Sequence, residues 1–165
     1  MALFGTIRDM NLFSSIADEV VSDIITQQIG YYKISLIDTK VNLYGESMKK
    51  KYIGPVLINC LIERGDFETP IKDQGLDRKR NVSFRFLRDH MIAANVYPEA
   101  GDVVMYNEVY YQVDNVNTNQ QILGKDPAYA YSDGLENYGK NFSIILNCFY
   151  TSADKLGIVE QTPTN

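Results

Sequence analysis

The arrangement most open to a chemical interpretation is a pair of carboxylates close to a glycine. Glu99 and Asp102 lie on either side of Gly101. A hydrolase could use two such groups as general acid and base. Structure explains the spacing more directly, because glycine adopts backbone angles that other residues disfavour and aspartate bonds nearby backbone groups where a strand begins. We therefore predict that Gly101 and Asp102 form part of a structural hairpin.

A single histidine and a glycine-rich run are the other chemical candidates. His90 is the only histidine, so a His-based metal cluster is excluded and any Ser-His-Asp triad would need this residue. Residues 134–141, GLENYGKN, nearly spell a phosphate-binding loop, but Asn141 stands where that motif needs a hydroxyl for magnesium. The sequence therefore predicts a structural histidine, no enzyme activity, no cofactor and no metal.

Both cysteines lie in apolar runs. Cys60 follows LIN and Cys148 follows ILN, which favours buried free thiols on core strands. The N-terminus lacks the basic-then-apolar order of a signal peptide, and no apolar run approaches the ~18 residues of a membrane span. We expect cytosolic synthesis and no membrane contact.

Composition limits the classes of partner. The chain has 165 residues, a formal net charge of −5, 12 Tyr, 7 Phe and no Trp. A duplex-binding protein needs surplus Lys and Arg to displace counterions, so tight autonomous DNA binding is not expected. Tyrosine combines apolar area with a polar group, which suits half-buried sheets and protein interfaces.

The hydrophobic pattern predicts one domain, residues 1–165, made of a helix followed by strands. An apolar stripe at Leu12, Ile16, Val20 and Ile24 predicts a helix over about 11–28, ended by Gly30. A β domain over about 31–150 follows, and a flexible tail over about 156–165. Strands are predicted at 31–37, 56–63, 82–87 and 143–150, with helical turns within 89–96 and a hairpin turning at Asn107-Glu108. This pattern indicates an antiparallel β-sandwich or small β-barrel, with the helix packed against it or projecting from it.

Two long connections, 66–80 and 117–140, are rich in Gly, Pro, Asp and Asn. Loops of more than ~12–15 residues are uncommon in compact domains and tend to be functional or mobile. We predict that they are docking arms that neighbouring subunits order. Their candidate interface residues are Asp66, Arg78, Lys79, Arg80, Lys125, Tyr129 and Tyr131.

The hairpin supports a resemblance. It combines Pro98-x-x-Gly101-Asp102, an apolar strand ending at Tyr106, a tight turn, and the returning Tyr110-Tyr111-x-Val113. In this the chain resembles head–tail connector proteins of tailed bacteriophages, specifically neck or head-completion proteins of T-even-like contractile phages. Further segments that fit are YYKI from 31, NLYGES from 42, PVLI from 55 and GKDP from 124, so that the resemblance covers about residues 18–130.

The resemblance implies a non-enzymatic part of the virion neck, assembled in the host bacterial cytoplasm. It implies a homo-oligomeric ring, taken as a hexamer, that continues the DNA channel, helps to retain the packaged genome and docks the tail. Its neighbours would be portal or adaptor proteins and tail-terminator or sheath-side proteins, with transient non-specific contact with DNA.

Three other readings of the residues stay open. A small-ligand or carbohydrate-binding barrel would use tyrosines such as Tyr110, Tyr129 and Tyr131. A hydrolase would need carboxylates clustered around His90. A ring protein of the tail-terminator type would share the assembly but occupy another layer.

Overall fold

The computed structural model describes residues 7–35, 39, 50–68, 71–72, 75–76, 79–121 and 141–156. Helix α1 spans Ile7–Glu19 and continues as a π-helical segment, Val20–Ile25. The other elements are β1 (Gln28–Ser35), β2 (Lys51–Asn59), β3 (Leu61–Glu68), β4 (Ile71–Lys72), β5 (Gly75–Leu76), β6 (Lys79–Leu87), α2 (Arg88–Ala93), β7 (Val103–Tyr106), β8 (Val109–Gln121), β9 (Asn141–Thr151) and α3 (Ala153–Leu156).

Seven strands form one antiparallel sheet in the order β2-β1-β7-β8-β9-β6-β3, and β4 pairs with β5. The two edge strands, β2 and β3, are consecutive in the chain and only Cys60 separates them. The N–H of Cys60 donates to the carbonyl of Gln27 at 2.9 Å. Within the described residues β2 and β3 do not pair, so the sheet stays open. The predicted mainly-β antiparallel fold is confirmed, in its sandwich-like form.

The single strand predicted over 56–63 is wrong in its continuity. Residues before Cys60 pair with β1, whereas Leu61 pairs with Arg85 of β6. One apolar run therefore supplies both edge strands of the sheet. Strands that pass from one layer of a sandwich to the other bend in the same way. Hydrophobicity is continuous across the corner because both halves supply core residues, so the run carries no sign of the break.

The core is built from buried side chains of the strands and of helix α2. Its large cluster includes Ile29, Tyr31, Ile58, Cys60, Val82, Phe84, Phe86, Met91, Val104, Tyr111, Val113, Leu146 and Cys148. The Phe84 ring meets the Tyr111 ring edge-on, with the centroids 5.7 Å apart. Both cysteines are free and buried as predicted, and burial raises the pKa of each thiol to about 12.

The predicted end of the first helix needs correction. The helix stops at Thr26, whose φ of 50° is left-handed and whose N–H donates to the carbonyl of Val21. Gly30 instead lies inside β1, where a Cβ would come within 3.3 Å of Met105 and Pro55 side-chain atoms. Gly30 is thus suited to close strand packing and does not end the helix.

The segment 66–80, predicted as a long loop, is largely the outer half of a β-hairpin. Lys79 pairs with Glu68 and Arg80 with Phe67, and farther out Lys72 pairs with Gly75. Asp66 lies in β3, while Arg78 falls outside the described residues. The glycines and charged residues that indicated a loop are compatible with strand pairing here because β3 is at the edge of the sheet, where such residues are common.

The second predicted loop is partly strand as well. Asn117 pairs with Ile145, and Gln121 with Asn141, so β8 continues to Gln121. Lys125, Tyr129 and Tyr131 fall outside the described residues, as does the tail from 157. Leu156, where the tail was predicted to begin, is buried beside Tyr32, Val103 and Tyr110.

Candidate functional site: the Asp102 network and the exposed apolar surfaces

Asp102 is a fully buried carboxylate that ties the start of the hairpin to β1. Its side chain has 0% exposure. Oδ1 accepts a hydrogen bond from the backbone N–H of Ile34 at 2.9 Å, and Oδ2 accepts from the N–H of Glu99 at 2.9 Å and from the Tyr31 hydroxyl. A buried carboxylate is costly unless it is paired and hydrogen-bonded. Here each oxygen has partners, so the network is a structural device.

Lys33 supplies the positive charge of this network. Its Nζ lies 3.3 Å from Asp102 Oδ2 and 2.9 Å from Glu99 Oε2, and it donates to the carbonyl of Tyr97 at 2.7 Å. Tyr31 and Lys33 are two residues apart in β1 and so share one face of the strand. One strand thus presents a hydroxyl and an ammonium to the loop that precedes β7.

Burial and the acceptor Asp102 raise the pKa of the Tyr31 hydroxyl, burial being the larger cause. The phenol therefore stays protonated and donates to the carboxylate. Glu99 and Asp102, considered above as an acid–base pair, meet on the same Lys33 ammonium. Asp102 has no exposed surface through which a substrate could reach it.

Of the predicted hairpin residues, Gly101 and Asp102 lie before β7, Tyr106 lies in β7 and Tyr111 in β8. Gly101 has φ of +98°, the kind of backbone angle the sequence predicts, and its N–H donates to the carbonyl of Val113 at 2.8 Å. Asn107 and Glu108 have φ of 49° and 62°, as in the two-residue turns that suit antiparallel hairpins. Tyr111 is in the core, and Tyr106 lies beneath the Arg64 guanidinium, 5.3 Å from the ring centroid.

His90 joins α2 to α1. Its Nε2 lies 2.6 Å from Asp18 Oδ1, which also accepts from the Ser22 hydroxyl at 3.1 Å. These hydrogen bonds lower the pKa of the Asp18 carboxyl, the bond from His90 contributing most. Around them lies an open groove that Asn11, Ser14, Ser15, Asp89 and Ala93 also line. The serine bonds the carboxylate rather than the imidazole, which differs from the order of a Ser-His-Asp triad.

The polar side of α1 thus faces α2, and its apolar stripe faces outward. Leu12 is 56% exposed, and Phe13 and Ile16 are about half exposed. In the π-helical continuation Ile24 is exposed as well, while Val21 is buried. The sequence identifies this stripe, but it does not reveal that the stripe lies on the side away from the domain.

A second exposed apolar surface lies on edge strand β2. Ile53 and Leu57 are 62% and 65% exposed, and Val56 is partly exposed. Lys50 and Lys51 are exposed immediately before them. Val56 and Ile53 pair with Tyr31 and Lys33 and so share one face of the sheet, whereas Leu57 pairs with Gly30 and lies on the opposite face. Exposed apolar side chains grouped on one face mark interaction sites more often than isolated ones do.

Sequence reasoning missed Lys33 as a site residue, along with Glu63 and Arg85 of the β3–β6 pair, whose side chains form an exposed ion pair at 2.5 Å. The Tyr-x-Lys alternation in β1 was the available signal for Lys33. Of the three tyrosines considered for a ligand site, Tyr110 is buried, and its ring centroid lies 6.2 Å from that of Tyr32. The other two fall outside the described residues.

In the described part of the chain, no three His, Cys, Asp or Glu side chains are grouped to hold a metal ion. Over the same residues, none of the helices has the length and apolar character that crossing a bilayer requires.

Comparison with known proteins gives little. No protein-family model matches the sequence, and no curated protein matches it. Among solved structures, a chain described as "Virion of native gene transfer agent (GTA) particle" aligns with 75% of this chain and 90% of its own length, at a TM-score of 0.42 and 9% identity. A likeness at this level carries no conclusion about function.

Proposed function

We propose that this chain is a structural neck protein of a tailed-phage virion, one subunit of a homo-oligomeric ring between head and tail. The ring continues the DNA channel, helps to retain the packaged genome and docks the tail. The resemblance of the Pro98-to-Val113 hairpin to connector proteins suggests this class.

The observation that carries the proposal is the presence of two separate outward-facing apolar surfaces on one small chain. One is the stripe on α1, with Leu12, Phe13 and Ile16, and the other is on one face of β2, with Ile53 and Val56. A subunit of a ring contacts its two neighbours through heterologous interfaces, so it needs two different binding surfaces. A monomeric protein rarely leaves large apolar patches uncovered.

The buried polar network supports a structural role as well. Tyr31 and Lys33 each donate to Asp102, which also accepts from the backbone N–H of Glu99, and these bonds fix the loop that precedes β7. A satisfied buried network of this kind favours a single arrangement of the core. Such rigidity suits a part that must present the same surfaces in every copy of a ring.

The experiment is deletion of the gene in the phage that encodes it. We expect filled heads that leak DNA and do not join tails, rescue by the protein supplied in trans, and the chain in purified virions by mass spectrometry. Virions that lack the chain, or infectious particles from the deletion strain, would refute the proposal.

A gel-shift series in salt tests the conduit role. With a net charge of −5, the free protein should bind duplex weakly and release it at moderate salt. Tight, salt-resistant binding to one sequence would contradict a passive channel and favour a DNA-reading protein.

A further inference from the structure

The orientation of α1 is the reverse of what folding of an isolated chain favours. Its polar residues Asn11, Ser14 and Asp18 line the groove against α2, while Leu12, Phe13 and Ile16 face solvent. Burying apolar area contributes about 25 cal/mol per Å². Exposure of three large apolar side chains on one helix face is therefore a cost that a partner would remove.

Acidic residues extend this apolar face. Leu12, Ile16 and Glu19 follow the four- and three-residue spacing that places side chains on one side of a helix. Asp23 follows in the π-helical continuation, and both Glu19 and Asp23 are exposed. The surface of α1 is thus apolar with carboxylates toward its C-terminal end.

The surface on β2 has the opposite charge. Lys50 and Lys51 are exposed at the start of the strand, and Ile53, Val56 and Leu57 continue it as exposed or partly exposed apolar side chains. This strand is at the edge of the sheet, beside β1 only. Its basic start and apolar continuation complement an acidic apolar helix in both chemistry and sign.

We propose that α1 of one copy docks on β2 of the next copy. The contact covers Leu12 and Ile16 with Ile53 and Val56 of the neighbour, which share one face of β2, and it pairs Glu19 and Asp23 with the lysines at 50 and 51. Because the two surfaces differ and each copy carries both, each copy binds two neighbours, and the assembly grows head to tail. That such growth closes into a ring rests on the proposed function; the contact itself does not.

Site-directed cross-linking tests the pairing. Ile16→Cys and Ile53→Cys chains, purified separately and mixed, should form a mixed dimer with a short bis-maleimide reagent. Either variant alone should give at most the background of the unmodified chain, whose Cys60 and Cys148 are buried with pKa values of about 12. A dominant cross-link of Ile16→Cys with itself overturns the proposal in favour of a symmetric helix–helix contact. A mixture without mixed dimer overturns it outright.

A charge exchange tests specificity. In sedimentation experiments, Glu19→Lys with Asp23→Lys should weaken self-association at least about tenfold, a loss of about 1.4 kcal/mol. Lys50→Glu with Lys51→Glu should do the same, and a mixture of the two variants should associate again. Ile92→Ser is the matched control, since Ile92 is half exposed on α2 outside both surfaces and its loss should change nothing. If the mixture stays dissociated, or if the Ile92 variant weakens association equally, the proposed contact is wrong.

Cross-linking inside purified virions separates this inference from the proposed function. Particles that contain the chain without the 16–53 cross-link refute the contact and leave the neck assignment standing. A chain that cross-links in solution and is missing from particles refutes the neck assignment and leaves the contact standing.

Discussion

The start of the β7–β8 hairpin and helix α1 use the same kind of interaction, an aspartate with polar partners, with opposite consequences. Asp102 is buried and its oxygens are bonded by Tyr31, Lys33 and two backbone N–H groups. Asp18 is exposed and links α1 to the body through His90. Low dielectric strengthens the first network, and solvent screens the second. The hairpin is therefore fixed by buried contacts, whereas α1 is joined to α2 through an exposed contact and has its apolar face toward solvent.

The largest expected effect is at Asp102. Asp102→Ala leaves the Tyr31 hydroxyl and the backbone N–H groups of Ile34 and Glu99 without their acceptor, while Lys33 keeps its other two partners. A buried donor left without an acceptor costs about 1–3 kcal/mol, and this variant creates several such donors. Urea unfolding of the purified chain measures the loss. Glu99→Gln is the control, since Glu99 is exposed and its change should stay within about 0.5 kcal/mol. If both variants lose the same free energy of unfolding, burial of Asp102 does not explain its contribution to stability.

Gly101→Val is next in size. The positive φ of 98° is disfavoured for a β-branched residue, so we expect a loss of about 1–3 kcal/mol. No atom lies within 4 Å of a Cβ built there, so the loss comes from backbone strain rather than a clash. Gly101→Ala should therefore lose less than valine but still be destabilised. An unchanged thermal midpoint for valine would show that the loop relaxes freely.

A stabilising change tests the turn of the same hairpin. Glu108 has a φ of 62°, a left-handed backbone angle that glycine adopts easily and glutamate does not. Glu108→Gly should stabilise the chain by about 0.5–1 kcal/mol, because relief of backbone strain exceeds the added freedom of the unfolded chain. Asn107→Gly is the control and should gain less, since asparagine tolerates positive φ. A lower melting point for Glu108→Gly would contradict this account of the turn.

His90→Ala should barely change global unfolding and should loosen α1. We expect amide protection to fall in residues 8–19 and to persist in β8 and β9, as measured by hydrogen exchange. Asp89→Asn, a neighbouring change in the same groove, should leave α1 protected. Loss of protection across the sheet would mean that the histidine supports the core.

The smallest effect is a pH dependence of the same helix. The pKa of Asp18 is lowered in the folded state, chiefly by the hydrogen bond from His90. The folded chain therefore resists protonation of Asp18. The stabilising contribution of the His90–Asp18 contact is complete above the ordinary carboxyl pKa, and it is lost as pH falls through the lowered pKa of the folded state. Protection factors of α1 should drop below about pH 4, where model carboxyls titrate, ahead of those in the sheet. If α1 and the sheet lose amide protection at the same pH, the two regions do not differ in the way described here.

The candidate site was predictable in part. Gly101, Asp102 and the turn at Asn107-Glu108 follow from short-range rules, because turn geometry is decided within a few residues. The partners Tyr31 and Lys33 lie about seventy positions away, and they meet Asp102 because β1 pairs with β7. No local pattern specifies that pairing.

The sequence alone determined what depends on neighbours in the chain. It determined an antiparallel mainly-β domain, the positive φ at Gly101, the two buried thiols and the apolar stripe of α1. Tertiary structure decided what depends on strand order: the break at Cys60 that sends one apolar run to both sheet edges, the pairing of Lys79 and Arg80 within a hairpin, and the outward side of α1. Periodicity reports that a face is apolar, but only the packing of distant elements decides whether that face meets the core or a partner.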